Sequence, residues 1–439
     1  MSELRLGHWT MPTGDLGRPD PLPQLLSDAG VHGRQTELEE AFEDDERRYV
    51  RYGRVPGCLP YSRWCGYSRN RTPTRHRTAV LENDILRATF LLDLGGRLWS
   101  LVHKPSGREL LYVNPVLQPV NVGTVGMWFS GGVEWNCGIR GHTPLTCSPL
   151  WAAAVTGSDG RPILRLYEFE RIRCLAYQVD FSLPDGSPCL FARMRIVNPH
   201  DRETPMYWWS NIAVPELEGG RIVVPAASSV RFRYNGAVSR GSVPLQNGHD
   251  VTYPTNPSAA ADSFYEVTEQ DRPWISSLDP EGCGLAQMST PRLKGRKLFR
   301  WGMRPGGRNW QRFLSPGGPP YIENPGPDPA HAARRRMVLA RSIHPGGSGR
   351  RGRARGRLGR GGRGRARAAR RGGNRRRAGR PLRGGGRRRR SPARCRPPPR
   401  LRLGRAGAPP ARGRRRATVL LRRARLRRRV DRRPRGALA

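Results

Sequence analysis

The run Ile85–Leu92 reads ILRATFLL and is closed by the glycine turn Leu94–Gly96. Apolar residues recur in this run with the two-residue period of a strand, and paired glycines favour a tight turn. A second run, Leu190–Val197, reads LFARMRIV and is followed by the turn residues Asn198–Asp201. Short runs of this kind follow one another from about residue 80, with no long helical pattern between them. We therefore predict an all-β domain over residues 80–323, built as a sandwich or barrel.

Residues 1–79 have a different character. They open with a proline-rich stretch, Pro19–Pro23, and continue with Gln35–Arg51, where charged residues surround spaced apolar residues such as Leu38 and Phe42. That spacing is typical of a surface helix. We predict that residues 1–79 form an N-terminal arm packed on the main domain.

Residues 324–439 break abruptly from the strand pattern. Arginine and glycine dominate, as in Arg351–Arg357; lysine is absent after Ala332, and Asp431 is the only acidic residue there. Such a segment buries too little apolar surface to offset its ordering entropy, so we predict a disordered tail. The lack of lysine indicates a GC-rich gene read out of frame. The alternative is a genuine basic tail that binds nucleic acid.

The charge of the chain is unevenly distributed. The 439 residues include 79 Lys and Arg against 35 Asp and Glu, which gives a formal net charge of +44. Such an excess ordinarily indicates a polyanionic partner. Because nearly all of the excess lies after Ala332, we predict nucleic acid as a partner only through the tail, if the tail is genuine.

Cysteine usage and hydropathy indicate the redox state of the thiols and the cellular compartment of the protein. The eight cysteines occur singly, without a C-x-x-C pair, so we predict reduced thiols, no metal site and no cofactor. No run of about 18 apolar residues occurs, and no apolar stretch follows a basic N-terminus. We therefore predict a cytoplasmic protein without a membrane partner.

The densest cluster of chemically useful side chains is Trp128–Asn136, which reads WFSGGVEWN and is followed by Arg140 and His142. Aromatic faces stack on the C–H side of a pyranose, while carboxylate, guanidinium and imidazole groups bind its hydroxyls. A second cluster, Tyr207–Asn211, reads YWWSN, and a third is Gly95–Arg97. These residue types together indicate a sugar site.

Each candidate also has a structural interpretation. Tryptophan in an all-β domain is often part of the core, and strand alternation allows only one of Trp208 and Trp209 to face a given side. Glu134 is costly to bury unpaired among apolar neighbours, which favours a function or an arginine partner. His142, close to Pro144, is as compatible with a structural hydrogen bond as with catalysis.

Several strings resemble a known bacterial family, the domain of unknown function 5107. They are LENDILR at Leu81–Arg87, LGGRLWS at Leu94–Ser100, NPV at Asn114–Val116, SGGVEWN at Ser130–Asn136 and YWWSN at Tyr207–Asn211. That family is part of the galactose-mutarotase-like superfamily and commonly precedes tetratricopeptide repeats. The resemblance covers residues 1–323 and implies a β-supersandwich that binds carbohydrate.

The resemblance also implies roles for individual residues. Aldose epimerases of the superfamily use a glutamate base on a late strand, a histidine acid, and an arginine and an asparagine that hold hydroxyls. Here Glu323, Arg97 and Asn211 resemble the base, the arginine and the asparagine. Trp208–Ser210 stand where an epimerase places its histidine, so His142 has to supply the acid from another loop. Whether the protein is an enzyme stays open.

We thus predict a mutarotase-like, carbohydrate-binding domain with a sugar or glycoside ligand. The candidate catalytic residues are Glu134, His142 and Glu323, and the candidate substrate-binding residues are Arg97, Trp128, Trp135, Arg140, Trp208, Trp209 and Asn211. The alternatives are a non-catalytic recognition module of a tetratricopeptide-repeat protein and nucleic-acid binding through the arginine-rich tail.

Overall fold

The computed structural model describes residues 1–23 and 59–325, apart from short gaps at 139–140, 203, 205, 234–237, 257–258, 292 and 294, together with a strand at 419–421. The predicted helix over Gln35–Arg51 lies outside the described residues, as does Arg140. The same holds for the predicted tail, except residues 324–325 and 419–421, so its disorder and its origin stay predictions.

Strands form almost all of the described structure. In chain order they are β1 (Glu3–Gly14), β2 (Arg71–Glu82), β3 (Leu86–Leu91), β4 (Arg97–His103), β5 (Arg108–Glu109), β6 (Val120–Gly123), β7 (Gly126–Trp128), β8 (Val133–Cys137), β9 (Trp151–Thr156), β10 (Pro162–Glu170), β11 (Leu175–Ser182), β12 (Phe191–Val197), β13 (Trp208–Pro215), β14 (Arg221–Val223), β15 (Ser228–Arg233), β16 (Val238–Ser242), β17 (Leu245–Gln246), β18 (His249–Asp250), β19 (Ala261–Tyr265), β20 (Trp274–Leu278), β21 (Gly284–Met288), β22 (Arg296–Arg300), β23 (Tyr321–Pro325) and β24 (Val419–Leu421).

Two sheets dominate the architecture. A twelve-stranded sheet has the order β1-β2-β3-β4-β8-β13-β23-β22-β19-β15-β16, with β5 paired to β4. A five-stranded sheet has the order β12-β11-β10-β9-β24. The strands β14, β20 and β21 form a third sheet, and β6-β7 and β17-β18 are two-stranded. The prediction of an all-β fold is confirmed.

The main hydrophobic core includes buried side chains of both large sheets. Phe90 on β3 lies 4.6 Å from Phe181 on β11, measured between ring centroids. Leu98 on β4 and Leu166 on β10 belong to the same buried cluster. Because side chains alternate along a strand, the other face of the large sheet is left for a different set of residues.

The predicted boundary between an N-terminal arm and the main domain is not a boundary in the structure. Strand β1 pairs with β2 along its whole length, from Glu3 opposite Glu82 to Gly14 opposite Arg71. Residues 3–14 and 71–79 are therefore outer strands of the main sheet. The sequence hides this because β1 is an edge strand whose side chains are mostly solvent-exposed, so it lacks a clear apolar period. At the other end, β23 continues two residues past the predicted limit at residue 323.

One α-helix is present among the described residues, α1 (Pro305–Leu314), between β22 and β23. Proline in its first turn suits a helix start, since that N–H has no helical partner. Gln311 of α1 donates to the carbonyl of Tyr321 at 2.7 Å, which ties the helix to β23. No helix in the described part of the chain is long and apolar enough to cross a membrane.

Candidate functional site

Three neighbouring strands present three of the predicted site residues on one face of the large sheet. Glu134 of β8 lies directly opposite Asn211 of β13. Glu323 of β23 lies opposite Ala213, two residues further along β13. Residues opposite each other in an antiparallel pair share a face, and so do residues two apart in a strand. Glu134, Asn211 and Glu323 therefore converge, although they are far apart in sequence.

Glu134 is the centre of a buried hydrogen-bonding cluster. The residue is only 2% exposed, and its Oε2 lies 2.6 Å from Nδ1 of His142. Trp128 Nε1 and Asn136 Nδ2 each donate to the same oxygen at 3.3 Å. Burial by itself raises the pKa of Glu134, but His142 and Arg97 outweigh burial and hold that pKa at about 2. Glu134 is therefore ionised at neutral pH.

Arg97 holds this cluster in place. Its Nη1 donates to the carbonyls of Phe129 and Gly131 at 2.7 and 3.0 Å, and its Nη2 donates to Thr146 at 2.7 Å. Nη2 also lies 3.4 Å from Oε1 of Glu134. Both terminal nitrogens are thus engaged by the protein. This geometry favours a structural role for Arg97 in place of the predicted contact with sugar hydroxyls.

Glu323 has a different environment from Glu134. It is 5% exposed, and burial raises its pKa to about 8, although the charge of Arg97 works in the opposite direction. Its Oε1 has no hydrogen-bond partner within the described residues, and the same is true of Oδ1 of Asn211. Glu323 is therefore protonated at neutral pH, beside an amide oxygen that is free to accept a hydrogen bond.

Aromatic rings and a lysine border the cluster. The ring of His142 lies 4.7 Å from that of Trp128 and 5.6 Å from that of Trp209. Nζ of Lys297 lies 5.2 Å from the centre of the Trp209 ring and 3.1 Å from Asp262. Lys297 is absent from the sequence prediction. The only sequence signal for Lys297 is its place in the alternating run of β22. That signal can be interpreted only when the strand register is known.

Two of the predicted substrate-binding residues lie on the other face. Trp135 and Trp208 stack on each other with ring centres 6.3 Å apart, and Trp135 also contacts Phe181 of the five-stranded sheet. Trp135 Nε1 is satisfied by the carbonyl of Gly96. The prediction that Trp135 and Trp208 bind substrate is wrong, because both side chains belong to the core between the sheets. Trp209, one residue from Trp208, faces the site.

Among the described residues, the solvent-exposed side chains of the site lie at its rim. The side chain of His142 is 24% exposed and that of Lys297 is 18% exposed, whereas Glu134 and Arg97 are almost completely buried. Trp209 Nε1 donates to the carbonyl of Gly141, so the segment that carries His142 is held against the sheet. Two surface cavities of about 370 and 440 Å³ lie elsewhere on the molecule.

The chemistry of the site is that of organic acids and bases. Among the described residues, no group of three or more His, Cys, Asp or Glu side chains is arranged to hold a metal ion. The site instead combines an ionised carboxylate, a protonated carboxyl group and an imidazole. Such a set can move protons to and from a ligand.

Comparisons with known proteins agree with the sequence resemblance. A family model described as a domain of unknown function (DUF5107) matches residues 54–343. The chain is similar to the structure of a TPR-domain containing protein from Parabacteroides distasonis, at 23% identity and a TM-score of 0.60. That alignment covers 74% of this chain and 51% of the other, so this chain spans about half the length of that protein.

Two further structures show weaker similarity. A galactose mutarotase-like protein from Clostridium acetobutylicum aligns at 11% identity and a TM-score of 0.38, over 57% of this chain and 85% of the other. A protein from Synechocystis sp. PCC 6803 aligns at 15% identity and a TM-score of 0.40, over 58% of this chain and 86% of the other.

Proposed function

The chain belongs to the family of domains of unknown function DUF5107, and we propose that it binds a pyranose sugar at the Glu134–Glu323 site and moves protons at the anomeric centre. The observation that carries the proposal is the convergence of Glu323, Asn211 and the Glu134–His142 pair on one sheet face. Oxygen atoms of Glu323 and Asn211 are buried there without partners among the described residues. Buried polar atoms are normally satisfied, so a hydroxyl-rich ligand is their natural complement.

The proposed reaction is an aldose 1-epimerisation. Two carboxyl groups whose pKa values are pushed apart, to about 2 for Glu134 and about 8 for Glu323, suit paired acid and base roles. Glu323 donates its proton to the ring oxygen while His142 takes the proton of the anomeric hydroxyl, and the C1–O5 bond breaks. After rotation about C1–C2, O5 attacks C1 from the other face, and both protons return to their donors.

The roles differ from those implied by the resemblance. The sequence prediction makes Glu323 the base, which requires an ionised carboxylate at the start of the reaction. Burial favours the protonated form at neutral pH, so Glu323 suits the acid. The carboxylate of Glu134 stabilises the positive charge that His142 acquires as it accepts the proton.

Binding relies on the aromatic rim. Trp128 and Trp209 flank His142 and are almost fully buried, so their ring faces become available to the C–H groups of a sugar only when a ligand displaces this packing. Because Trp209 holds the carbonyl of Gly141, entry of a ligand requires the segment with Gly141 and His142 to move outward. Gly141 has a φ of 106°, a conformation in which glycine is strongly favoured.

The proposal is tested with the full chain and a panel of aldoses. Anomer interconversion is followed by polarimetry, and binding is followed by saturation-transfer NMR. We expect turnover in the wild type, and binding without turnover in Glu323→Gln. Turnover unchanged in that variant contradicts the acid role of Glu323, and the absence of binding to every aldose contradicts the sugar site.

A second candidate function is supported by the similarity to a TPR-domain containing protein twice as long as the aligned region. In that case the domain is a non-catalytic recognition module of a larger protein. This alternative predicts sugar affinity with no turnover on any aldose or glycoside. Nucleic-acid binding through the arginine-rich tail stays a prediction, since the tail lies almost wholly outside the described residues. A cytoplasmic location is also part of the proposal.

A further inference from the structure

The outer face of the five-stranded sheet carries side chains that the core does not use. On β10, Leu164 and Leu166 are buried between the sheets, whereas Arg165 and Tyr167 are only partly buried. The alternation of a strand places the second pair on the opposite face. A cavity of about 370 Å³ lies against this face, with Arg165, Tyr167, Gln178 and Arg195 in its lining.

Two parallel rows of side chains cross this face. The first row runs through direct register partners on four strands, Trp151, Tyr167, Gln178 and Arg195. It spans three strand spacings, about 14 Å at about 4.8 Å each. The second row lies two residues away on each strand and contains Ala153, Arg165, Asp180 and Arg193. The two rows are therefore longer than one sugar ring.

The first row begins with an aromatic platform. The rings of Trp151 and Tyr167 lie 6.4 Å apart and are nearly parallel, with 17° between their planes. Both side chains are partly exposed, and Phe169 next along β10 is 44% exposed. An aromatic pair held at the surface of a rigid sheet offers ring area to another flat apolar group at little cost in side-chain entropy.

The second row supplies fixed polar groups. Arg165 Nε and Nη2 donate to the two carboxylate oxygens of Asp180 at 2.6 and 2.7 Å. Gln178 Nε2 donates to Asp180 as well, at 3.1 Å. This double hydrogen bond neutralises both charges and fixes the positions of the polar atoms. The Arg165–Asp180 pair has no net charge and is fixed in position, so next to the aromatic rings it suits the hydroxyl groups of a neutral sugar chain.

From these observations we infer that the outer face of the five-stranded sheet is a second carbohydrate-binding surface, for a neutral polysaccharide chain. Sugar rings stack on Trp151 and Tyr167, while Gln178 and Arg195 bind hydroxyls further along the row. The surface lies on a different sheet from Glu134 and Glu323, so it does not depend on the function proposed for that site. Its role is to hold the protein on a long glycan.

The test is co-sedimentation of the full chain with insoluble neutral polysaccharides, namely cellulose, chitin, mannan and starch granules, at high salt. High salt and neutral particles suppress attraction through the basic tail. We expect binding to at least one of the four. Tyr167→Ala and Trp151→Ala are expected to weaken it about tenfold each, the order expected for loss of a stacked ring. The matched control Tyr167→Phe keeps the ring and retains binding.

Further measurements separate the possible outcomes. Glu323→Gln is expected to co-sediment like the wild type, and Tyr167→Ala to keep any activity of the Glu134–Glu323 site. Arg195→Ala, an exposed change, serves as a second variant if circular dichroism shows that Tyr167→Ala misfolds. No binding to any of the four particles, or equal binding by Tyr167→Ala and Trp151→Ala, overturns the inference. The inference is also overturned if sedimentation velocity shows that two copies of the wild type associate through this face and that Tyr167→Ala breaks the association.

Discussion

Oε2 of Glu134 lies 2.6 Å from Nδ1 of His142, inside the sheet face that also carries Glu323. Because Nδ1 is engaged by the carboxylate, only Nε2 of the imidazole is left for a ligand. Arg97 contacts the other oxygen of Glu134 at 3.4 Å. The Glu134 carboxylate thus both orients His142 and balances the buried guanidinium.

Replacing Glu134 is therefore expected to affect the fold as well as the chemistry. Glu134→Gln leaves the buried Arg97 without its counter-charge, and breaking such a pair costs about 3–5 kcal/mol. Urea denaturation measures the loss in unfolding free energy. The matched control is Glu3→Gln, which removes a solvent-exposed partner of Arg5 at 3.9 Å and is expected to change stability by less than about 1 kcal/mol. Equal stability of the two variants contradicts the Arg97–Glu134 interaction.

The pKa of Glu323 predicts a pH dependence of stability. It is raised from 4.5 to about 8 in the folded state, so between these values the folded protein binds more protons than the unfolded chain. Glu323 ionises in the unfolded chain but not in the folded protein, so the unfolding free energy of the wild type falls as pH rises through this window. Glu323→Gln removes the effect. The unfolding free energy of the variant, relative to that of the wild type, should rise by about 1.4 kcal/mol per pH unit within the window. Above the window this difference should be constant.

Denaturation curves at several pH values check this difference. Asp185→Asn, at an exposed position, is a suitable control because its stability should run parallel to that of the wild type. If Glu323→Gln also runs parallel between pH 5 and 8, the buried carboxyl group does not have a raised pKa.

The same pKa predicts the pH dependence of catalysis. If Glu323 is the acid, kcat/KM falls above a pH of about 8 as the carboxyl group loses its proton. The charge of Lys297 lowers the pKa of Glu323, so Lys297→Met is expected to move this alkaline limb to higher pH. A limb that stays in place in the variant excludes Glu323 as its origin.

Adjacent tryptophans provide a test of the strand register. Trp208 stacks on Trp135 in the core, so Trp208→Ala is expected to lower the unfolding free energy by about 3–5 kcal/mol. Trp209 borders His142, so Trp209→Phe is expected to weaken sugar binding while the fold is kept. Chemical denaturation and ligand titration by NMR distinguish the two effects. A larger loss of affinity in Trp208→Phe than in Trp209→Phe contradicts the assigned faces.

Strand periodicity predicts part of this arrangement. It indicates the all-β fold and the opposite orientation of Trp208 and Trp209, because alternation is a local property of a strand. It does not identify which tryptophan faces the site, and the prediction of Trp135 as a site residue rests on its residue type and not on periodicity. That choice depends on how β8 and β13 are paired, and pairing between strands far apart in sequence leaves no local signal.

The roles of individual charged residues are also beyond the sequence. Arg97 stands out as a candidate, but the hydrogen bonds of its two terminal nitrogens to Phe129, Gly131 and Thr146 depend on groups at distant positions in the sequence. Lys297 lies close to Trp209 only because their strands, β22 and β13, are brought together in the sheet. The edge strand β1 is missed because its sequence lacks a clear apolar face. The difference in pKa between Glu134 and Glu323 also arises from burial and neighbouring charges, which exist only in the assembled sheet.

Glu323, together with the Glu134–His142 pair, is proposed to act on a bound sugar. The most direct measurement is two-dimensional exchange NMR of aldose anomers with the wild type and Glu323→Gln, combined with saturation transfer to detect binding. We expect anomer exchange above the uncatalysed rate for the wild type, and binding without catalysed exchange for the variant. Catalysed exchange that persists in Glu323→Gln, or an absence of sugar binding by the wild type, contradicts the proposal.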